Sequence, residues 1–315
     1  MATKIEDLII PEVYTPYMIQ ESVKSNAFLN SGIASSDGSV TLTAGGKTVN
    51  IPFFEQMDTK SEVLSETSPL TVNKITASKD VACVHARGMA WAASDLGRLF
   101  SGADPMAAIA AQNAGQWSNN FTEIITSTLK GIFGVAALKN DNVLDNSTKV
   151  LDKNVMADSM FLLGDKYSNI STIAVHSKVL AALKRLDLLD PQLHPETMDL
   201  SYYKYMNKRV IVDDSIVPEG SGADAVYPIY LFGNGAISYN ENNELASVET
   251  DRDKLEGYDY LITRRVFTMH PRGVKWLGTS VAGETPTNEE IADSTNWELV
   301  EKPKNVRIAC LKTKV

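Results

Sequence analysis

The sequence predicts an α+β fold, and three observations predict it. From Asp104 to about Leu138, small and apolar residues recur three and four apart: Met106, Ile109, Asn113, Trp117, Phe121, Ile125, Leu129 and Phe133. They form one stripe at helical period, enough for a rod of about 45–50 Å. Strand-like runs with period-two alternation or continuous apolar character stand at 81–91, 258–276 and 296–313. Over 150–250 strands and helices alternate, as in an α/β lobe. The stripe reads either as a long core helix or as a spine that carries two lobes.

Each element has its own reason. Pro11 and Pro16 break the N-terminal stretch LIIPEVYTPYMIQES, yet Ile9, Ile10, Val13, Tyr14, Tyr17, Met18 and Ile19 are apolar. So greasy an extended segment should lie on a surface, its own chain's or a neighbour's. A short helix is expected through SVKSNAFLNSG, stopped by Gly32. Val40, Leu42, Val49 and Ile51 around Gly45-Gly46 predict a hairpin. The stretch from Phe53 to Asp80 is polar, with Glu55, Asp58, Glu62 and Glu66 around Lys60. It is either a solvated loop or an arm that reaches a partner.

VACVHARGMAW at 81–91 alternates as a half-buried strand does, and SDLGRLFSG follows as a short helix with Leu96, Leu99 and Phe100 on its face. The long helix begins with Asp104 as N-cap and Pro105 in the first turn. Gly115 inside it predicts a bend or a close backbone approach. VMADSMFLLGDKY reads as a further helix, Ile170–Val175 as a buried strand, and Ser177 as the cap of a helix with Val179, Leu180, Leu183, Leu186 and Leu188 inward. KRVIVDDS and AVYPIYLFGNGAISY are strands, joined by a loop rich in Pro, Gly and Ser at 217–223. YLITRRVFTMHPRGVKWL reads as two strands turning at His270–Gly273, TPTNEE opens a helix at 286–293, and two strands close the chain.

The 315 residues suffice for one large or two ordinary domains, and 43% hydrophobic with 22% charged is a globular composition. No apolar run is long enough to span a bilayer, and MATKIEDLIIPEVYTPY lacks the basic-then-apolar pattern of a signal peptide. Cys83 and Cys310 stand far apart in strand-like surroundings and read as buried thiols of a reducing compartment. A formal charge of −9 argues against gripping nucleic acid through phosphates, but suits a surface that lies near it without sticking.

Candidate chemistry is sparse. His85, His176, His194 and His270 stand at no metal-ligand spacing, and no phosphate loop, nucleophile elbow or dinucleotide fingerprint occurs. No metal and no cofactor is expected. Asp213-Asp214 could hold magnesium or, with His176, serve an α/β enzyme; solvated turn acids are the simpler account. Arg264, Arg265 and Arg272 with Lys275 make the densest basic cluster, either a solvated strand face or a receiver for the acidic arm.

As a set, several stretches resemble one family. They are LIIPEVYTPYM, VNIPFFEQM at 49–57, ITASKDVACVHARGMAWAASDL at 75–96, SGADPMAAIA at 101–110 with Trp117 and LKGIFG at 129–134, TIAVHSKVLAALKRLDL at 172–188, and YDYLITRRVFTMHPRGVKW at 258–276. Together they resemble the major capsid proteins of tailed bacteriophages with the Hong Kong 97-type fold, and within these the major capsid protein 13-like family. The resemblance implies an N-terminal arm at 1–45, an extended loop at 46–78, and a peripheral domain at 79–150 with its spine helix at 104–138. It further implies an axial domain at 151–254 and returning peripheral strands at 255–315. It implies pentamers and hexamers in an icosahedral head around double-stranded DNA, with the loop across a neighbour and the N-terminal arm strapping another. Tyr14, Tyr17, Glu55, Asp58, Lys60, Glu62, Glu66, Arg264, Arg265 and Arg272 are the inter-subunit contacts so implied. Partners would be a separate scaffolding protein, a portal and decoration proteins, with no membrane. The chain would be made in the host bacterial cytoplasm and end in the virion. A cellular nanocompartment shell of the same fold is the alternative. Some relatives cross-link their shells through a loop lysine; Lys60 is a lysine of this kind, without an identifiable partner.

Overall fold

The computed structural model describes residues 26–36, 46–54, 61–63, 72–75, 77–101, 105–193, 200–242 and 248–315. The N-terminal stretch with Tyr14 and Tyr17, the arm residues Glu55, Asp58, Lys60 and Glu66, the Asp104 cap and His194 lie outside these.

The described chain starts with α1 (Ala27–Asn30), which stops just before Gly32, at φ 81°, as expected; residues 22–25 of the expected helix lie outside the described ones. The Asn26 side chain caps it, accepting from the Phe28 and Leu29 amides at 3.0 Å, while its amide donates to Ser118 and Thr122 of the long helix. Next come β1 (Ala34–Ser36), β2 (Thr48–Phe54) and β3 (Ala77–Ser94). β2 pairs antiparallel with the first seven residues of β3, from Thr48↔Cys83 to Phe54↔Ala77, so the two strands form the ribbon of a projecting arm. At 18 residues β3 spans about 60 Å, well beyond the expected 81–91. Its first third belongs to the arm and its last third follows β12 outward.

After α2 (Asp95–Ser101), α3 (Pro105–Ile132) runs for 28 residues, about 42 Å. It ends a turn and a half before the expected Leu138, and α4 (Ala136–Asp141) starts after a break. The packing there explains the glycines: a Cβ on Gly131 would stand 2.3 Å from the Ile291 carbonyl, and one on Gly134 2.6 Å from Ser294. At Gly115 the expected close approach is absent, since a Cβ would meet nothing within 4 Å.

The second half begins with β4 (Val143–Val150), α5 (Lys153–Met160), β5 (Ile170–Val175) and α6 (Ser177–Arg185). The cap of α6 is His176, whose Nδ1 accepts from the Lys178 amide at 3.1 Å; Ser177, expected in that role, is the first helical residue. β6 (Asp190–Leu193) and β7 (Leu200–Tyr205) form an antiparallel pair that the sequence reading missed. Then follow β8 (Lys208–Val212), β9 (Tyr227–Gly233), β10 (Ile237–Asn242), β11 (Val248–Asp253) and β12 (Tyr258–Pro271). β13 (Val274–Trp276) does not fold back on β12. Gly273, at φ 87°, turns it onto β14 (Trp297–Leu299) instead. α7 (Asn288–Ala292) lies between them with a full capping box, Thr287 and Glu290 each accepting from the other's amide. β15 (Ile308–Lys314) closes the chain.

Two large sheets and the two-stranded β13-β14 ribbon result among the described residues. The first has the order β1-β10-β12-β3-β2, with β11 on the outer part of β12; the second is β4-β15-β9-β5-β8-β7-β6. They exchange strands in ways the expected boundaries did not anticipate. β10 and β11 lie in the first sheet, not with 151–254, while β4 and β15 lie in the second, not with the peripheral strands. The changeover is at Asn234–Gly235, directly after β9, where Gly235 takes φ 60°. β9 is buried along its whole length because β15 and β5 flank it. The apolar stripe of α3, with Trp117, Phe121, Ile125 and Leu129, packs under the first sheet.

Candidate subunit-contact surfaces

The expected basic cluster does not exist as one surface. Neighbouring residues on a strand point to opposite faces, so Arg264 and Arg265 part company. Arg265 turns under the sheet and is 1% exposed. Its Nε donates to Glu241 at 2.5 Å and its Nη2 at 2.7 Å, while the guanidinium lies 4.6 Å from the Phe121 ring centroid and 5.3 Å from that of Trp117. Tyr239 donates to the same carboxylate at 2.8 Å, and burial, then the charge of Glu241, pushes its phenol far up. Arg265 is therefore a core residue, not a subunit contact. Arg264 faces outward and pairs with Glu249 on β11. Arg272 donates to Ser35 at 3.1 Å, and Lys275 to Glu298 at 3.3 Å. Period-two alternation and the β13 turn scatter what the sequence clusters.

Two other regions are exposed where an isolated subunit has no use for exposure. The first is the arm, where Val63 and Val72 are more than nine-tenths exposed, Phe54 and Ile75 are also in water, and Glu62 is exposed. The second is the outer end of the first sheet, where β3 runs into α2 and β11 turns into β12. Leu96, Leu99 and Phe100, expected on one face of a short helix, are 65%, 73% and 83% exposed, and Leu255 on the adjoining turn is 98% exposed. Sequence signalled the apolar face but not that nothing among the described residues covers it. The tip is held in shape from beneath: Arg252 donates to Asp95 at 2.6 Å and to Asp259 at 2.9 Å, and the Asp95 amide donates to the Gly257 carbonyl at 3.0 Å. A rigid apolar patch of this kind marks a contact surface.

Of the residues nominated for chemistry, His176 and Asp214 lie together, Nδ1 3.7 Å from the carboxylate, and both also hold backbone at the start of α6. His176 caps α6, and Asp214 accepts from the Ser177 amide at 2.9 Å; the Ser177 hydrogen bonds hold its carboxyl below the usual range. Asp213 accepts from the Ser215 amide and from Thr122. His270 is buried, its Nε2 2.8 Å from Asp80, which also accepts from the Gly273 amide at 3.2 Å; this ties the root of the arm to the β12–β13 turn. His85 is buried against Phe267, and desolvation first, then Arg87, lowers its pKa to about 3. Cys83 and Cys310 are buried free thiols, pushed up to about 12 by desolvation. Among the described residues no cluster of three His, Cys, Asp or Glu could hold a metal, and no helix is long and apolar enough to cross a membrane.

Two large sheets on one long helix are an architecture shared with solved capsid structures. The chain matches the capsid subunit of cyanophage Pam1 with a TM-score of 0.57 at 11% identity, covering 93% of both chains. It matches the capsid of a native GTA particle at 0.55, with 11% identity over 92% and 90%, and the mature capsid of bacteriophage PhiM1 at 0.54, with 12% identity over 90% and 86%. At such identities these show the fold, the Hong Kong 97-type capsid fold. Sequence is more specific. The family model for major capsid protein 13-like proteins matches residues 27–306, and the major capsid protein of Bacillus phage SPP1 is 38% identical over 98% of each chain. The chain belongs to the major capsid protein 13-like family, structural proteins of the tailed-phage head.

Proposed function

We propose that copies of this chain assemble as pentamers and hexamers into an icosahedral head enclosing double-stranded DNA. The observation that carries this reading is the exposed tip, Leu96, Leu99, Phe100 and Leu255, on a clasped and ordered support. In this reading α3 and the first sheet form the peripheral domain, and the second sheet forms the axial domain at the capsomer centre. The loop at 46–78 reaches over one neighbour and the N-terminal arm, with Tyr14 and Tyr17, straps another. Glu55, Asp58, Lys60, Glu62 and Glu66 make contacts from the loop, and Arg264 contributes from the outer sheet face. The charge of −9 supports an inner wall that confines DNA without gripping it. A separate scaffolding protein, a portal and decoration proteins are its partners, synthesis is in the host bacterial cytoplasm, and the chain has no catalytic role.

Electron microscopy of the purified chain, with and without co-expressed scaffold, tests this. Capsomers or closed shells are expected. A species that stays monomeric at every concentration and salt, scaffold present or absent, contradicts it.

A further inference from the structure

One edge of β3 is left open. Its first residues pair with β2 as far as Thr48↔Cys83, and on its other edge β12 accompanies it to Tyr258↔Ser94. Just past β2 the Val84 amide donates to the Lys47 carbonyl at 3.1 Å. The Thr285 hydroxyl then accepts from the Ala86 amide at 3.2 Å and donates to the Val84 carbonyl at 3.1 Å. Even-numbered residues therefore turn their N–H and C=O groups to this edge, and strand geometry repeats that at Gly88, Ala90 and Ala92. Among the described residues no strand, loop or side chain meets these groups. Sheets commonly guard such an edge with charge, proline or a bulge. Residues 88–94 carry no charge and no proline, and their register with β12 is unbroken.

Beside the edge, between β3 and the first half of α3, runs a groove of about 480 Å³ whose walls include Met89, Ala90, Trp91, Ile109, Gln112 and Gln116. No charged side chain lines it. An open edge above an uncharged groove is a receiver for a β-strand. We infer that the strand is β3 of a second copy, the two edges pairing antiparallel across a twofold axis at Ala90. The edge is self-complementary in that register, as an isologous contact requires. Ala90 meets Ala90 of the second copy, and Gly88 meets Ala92 in both directions, each pair exchanging both N–H···O bonds. Met89 of one copy then lies across from Trp91 of the other above the groove, an apolar cross-strand pair, and no like charges are opposed. β3 also runs directly into α2, whose exposed Leu96, Leu99 and Phe100 form the tip, so edge and tip are one continuous surface. The inference rests on the proposed assembly of copies of this chain and says which strand edge joins a pair of them.

Ala90→Cys tests it. Hydrogen-bonded partners stand about 5.5 Å apart at Cα, within disulfide range. Shells of this variant, oxidised and run without reductant, should give linked dimers; the native thiols are buried. Ala92→Cys is the register control, since its two copies would stand four residues apart along the strands, about 13 Å, and should not link. Ala90→Pro removes an amide that points to the open edge and leaves the β12 ladder intact, a change tolerated on a free edge. It should leave the urea midpoint of the unassembled subunit unchanged and abolish closed shells. Ala90→Cys shells without linked dimers overturn the pairing and leave the assembly reading standing, and linkage through Ala92→Cys alone overturns its register. If Ala90→Pro blocks shells while Ala90→Cys does not link, some other strand holds the edge, and a second copy of β3 is ruled out. An Ala90→Pro subunit that no longer folds shows the amide to be engaged within the chain, which also overturns the inference. Wild-type chains that form no shells overturn the assembly reading; linked dimers of free Ala90→Cys chains then decide the pairing by themselves.

Discussion

Beneath α3 the first sheet buries Phe121, Phe267, His85 and the guanidinium of Arg265, whereas at its outer end Leu96, Leu99, Phe100 and Leu255 face water. Both regions are built on the same two strands, β3 and β12, and each is ordered by an arginine paired to carboxylate. Inside, Arg265 is wholly buried and its charge is met by Glu241; outside, Arg252 is half-exposed and spans Asp95 and Asp259. The inner region buries its apolar surface within the chain, and the outer one stays exposed among the described residues. That difference separates what stabilises the subunit from what is left for assembly.

The largest way to break the comparison is at its buried end. Glu241→Ala leaves Arg265 charged without its partner, and loss of one member of a buried pair costs about 3–5 kcal/mol; urea denaturation of the unassembled subunit reads it. Asp95→Ala, at the exposed clasp, should cost less than about 1 kcal/mol in the same assay.

Acid is the next lever. His85 is held neutral with a pKa of about 3 against 6.5 when unfolded, so the unfolded chain binds the extra proton between those values. Stability contributed by keeping it neutral is present above 6.5 and falls as pH drops towards 3. A His85→Phe variant should show a flatter stability profile across that window, measured by thermal melts at stepped pH.

Glycine gives a sharper pair along α3. Gly131→Ala places a methyl 2.3 Å from the Ile291 carbonyl and should destabilise by about 1–3 kcal/mol. Gly115→Ala meets nothing and should stabilise by up to about 1 kcal/mol through helix propensity. Thr287→Ala, removing the α7 cap, should cost about 1 kcal/mol. All three are read from denaturation midpoints.

The legible parts of the fold were those with local signals. Period-3.6 spacing located α3 and its buried face, Thr287 and Glu290 announced α7, and the apolar run Tyr227–Gly233 announced a buried strand. Long-range pairing was not legible. Nothing in KTKV or VLDNSTKV says that these segments join the second sheet, and nothing local says that β9 and β10, four residues apart, serve different sheets. The basic cluster misled because proximity in sequence is not proximity on a strand face; alternation sent Arg265 to the core. Leu96, Leu99 and Phe100 were visible as an apolar face, but a pattern within one chain cannot say which molecule covers it. Resemblance carried the functional class further than any motif did.

The central claim is that the outer tip serves assembly and not the fold. Leu99→Asp with Phe100→Asp tests it most directly, by melting the unassembled subunit and imaging the assembly reaction in parallel. The account predicts a melting temperature equal to wild type and no closed shells. Shells that form as readily as wild type, or a subunit that no longer folds, would contradict it.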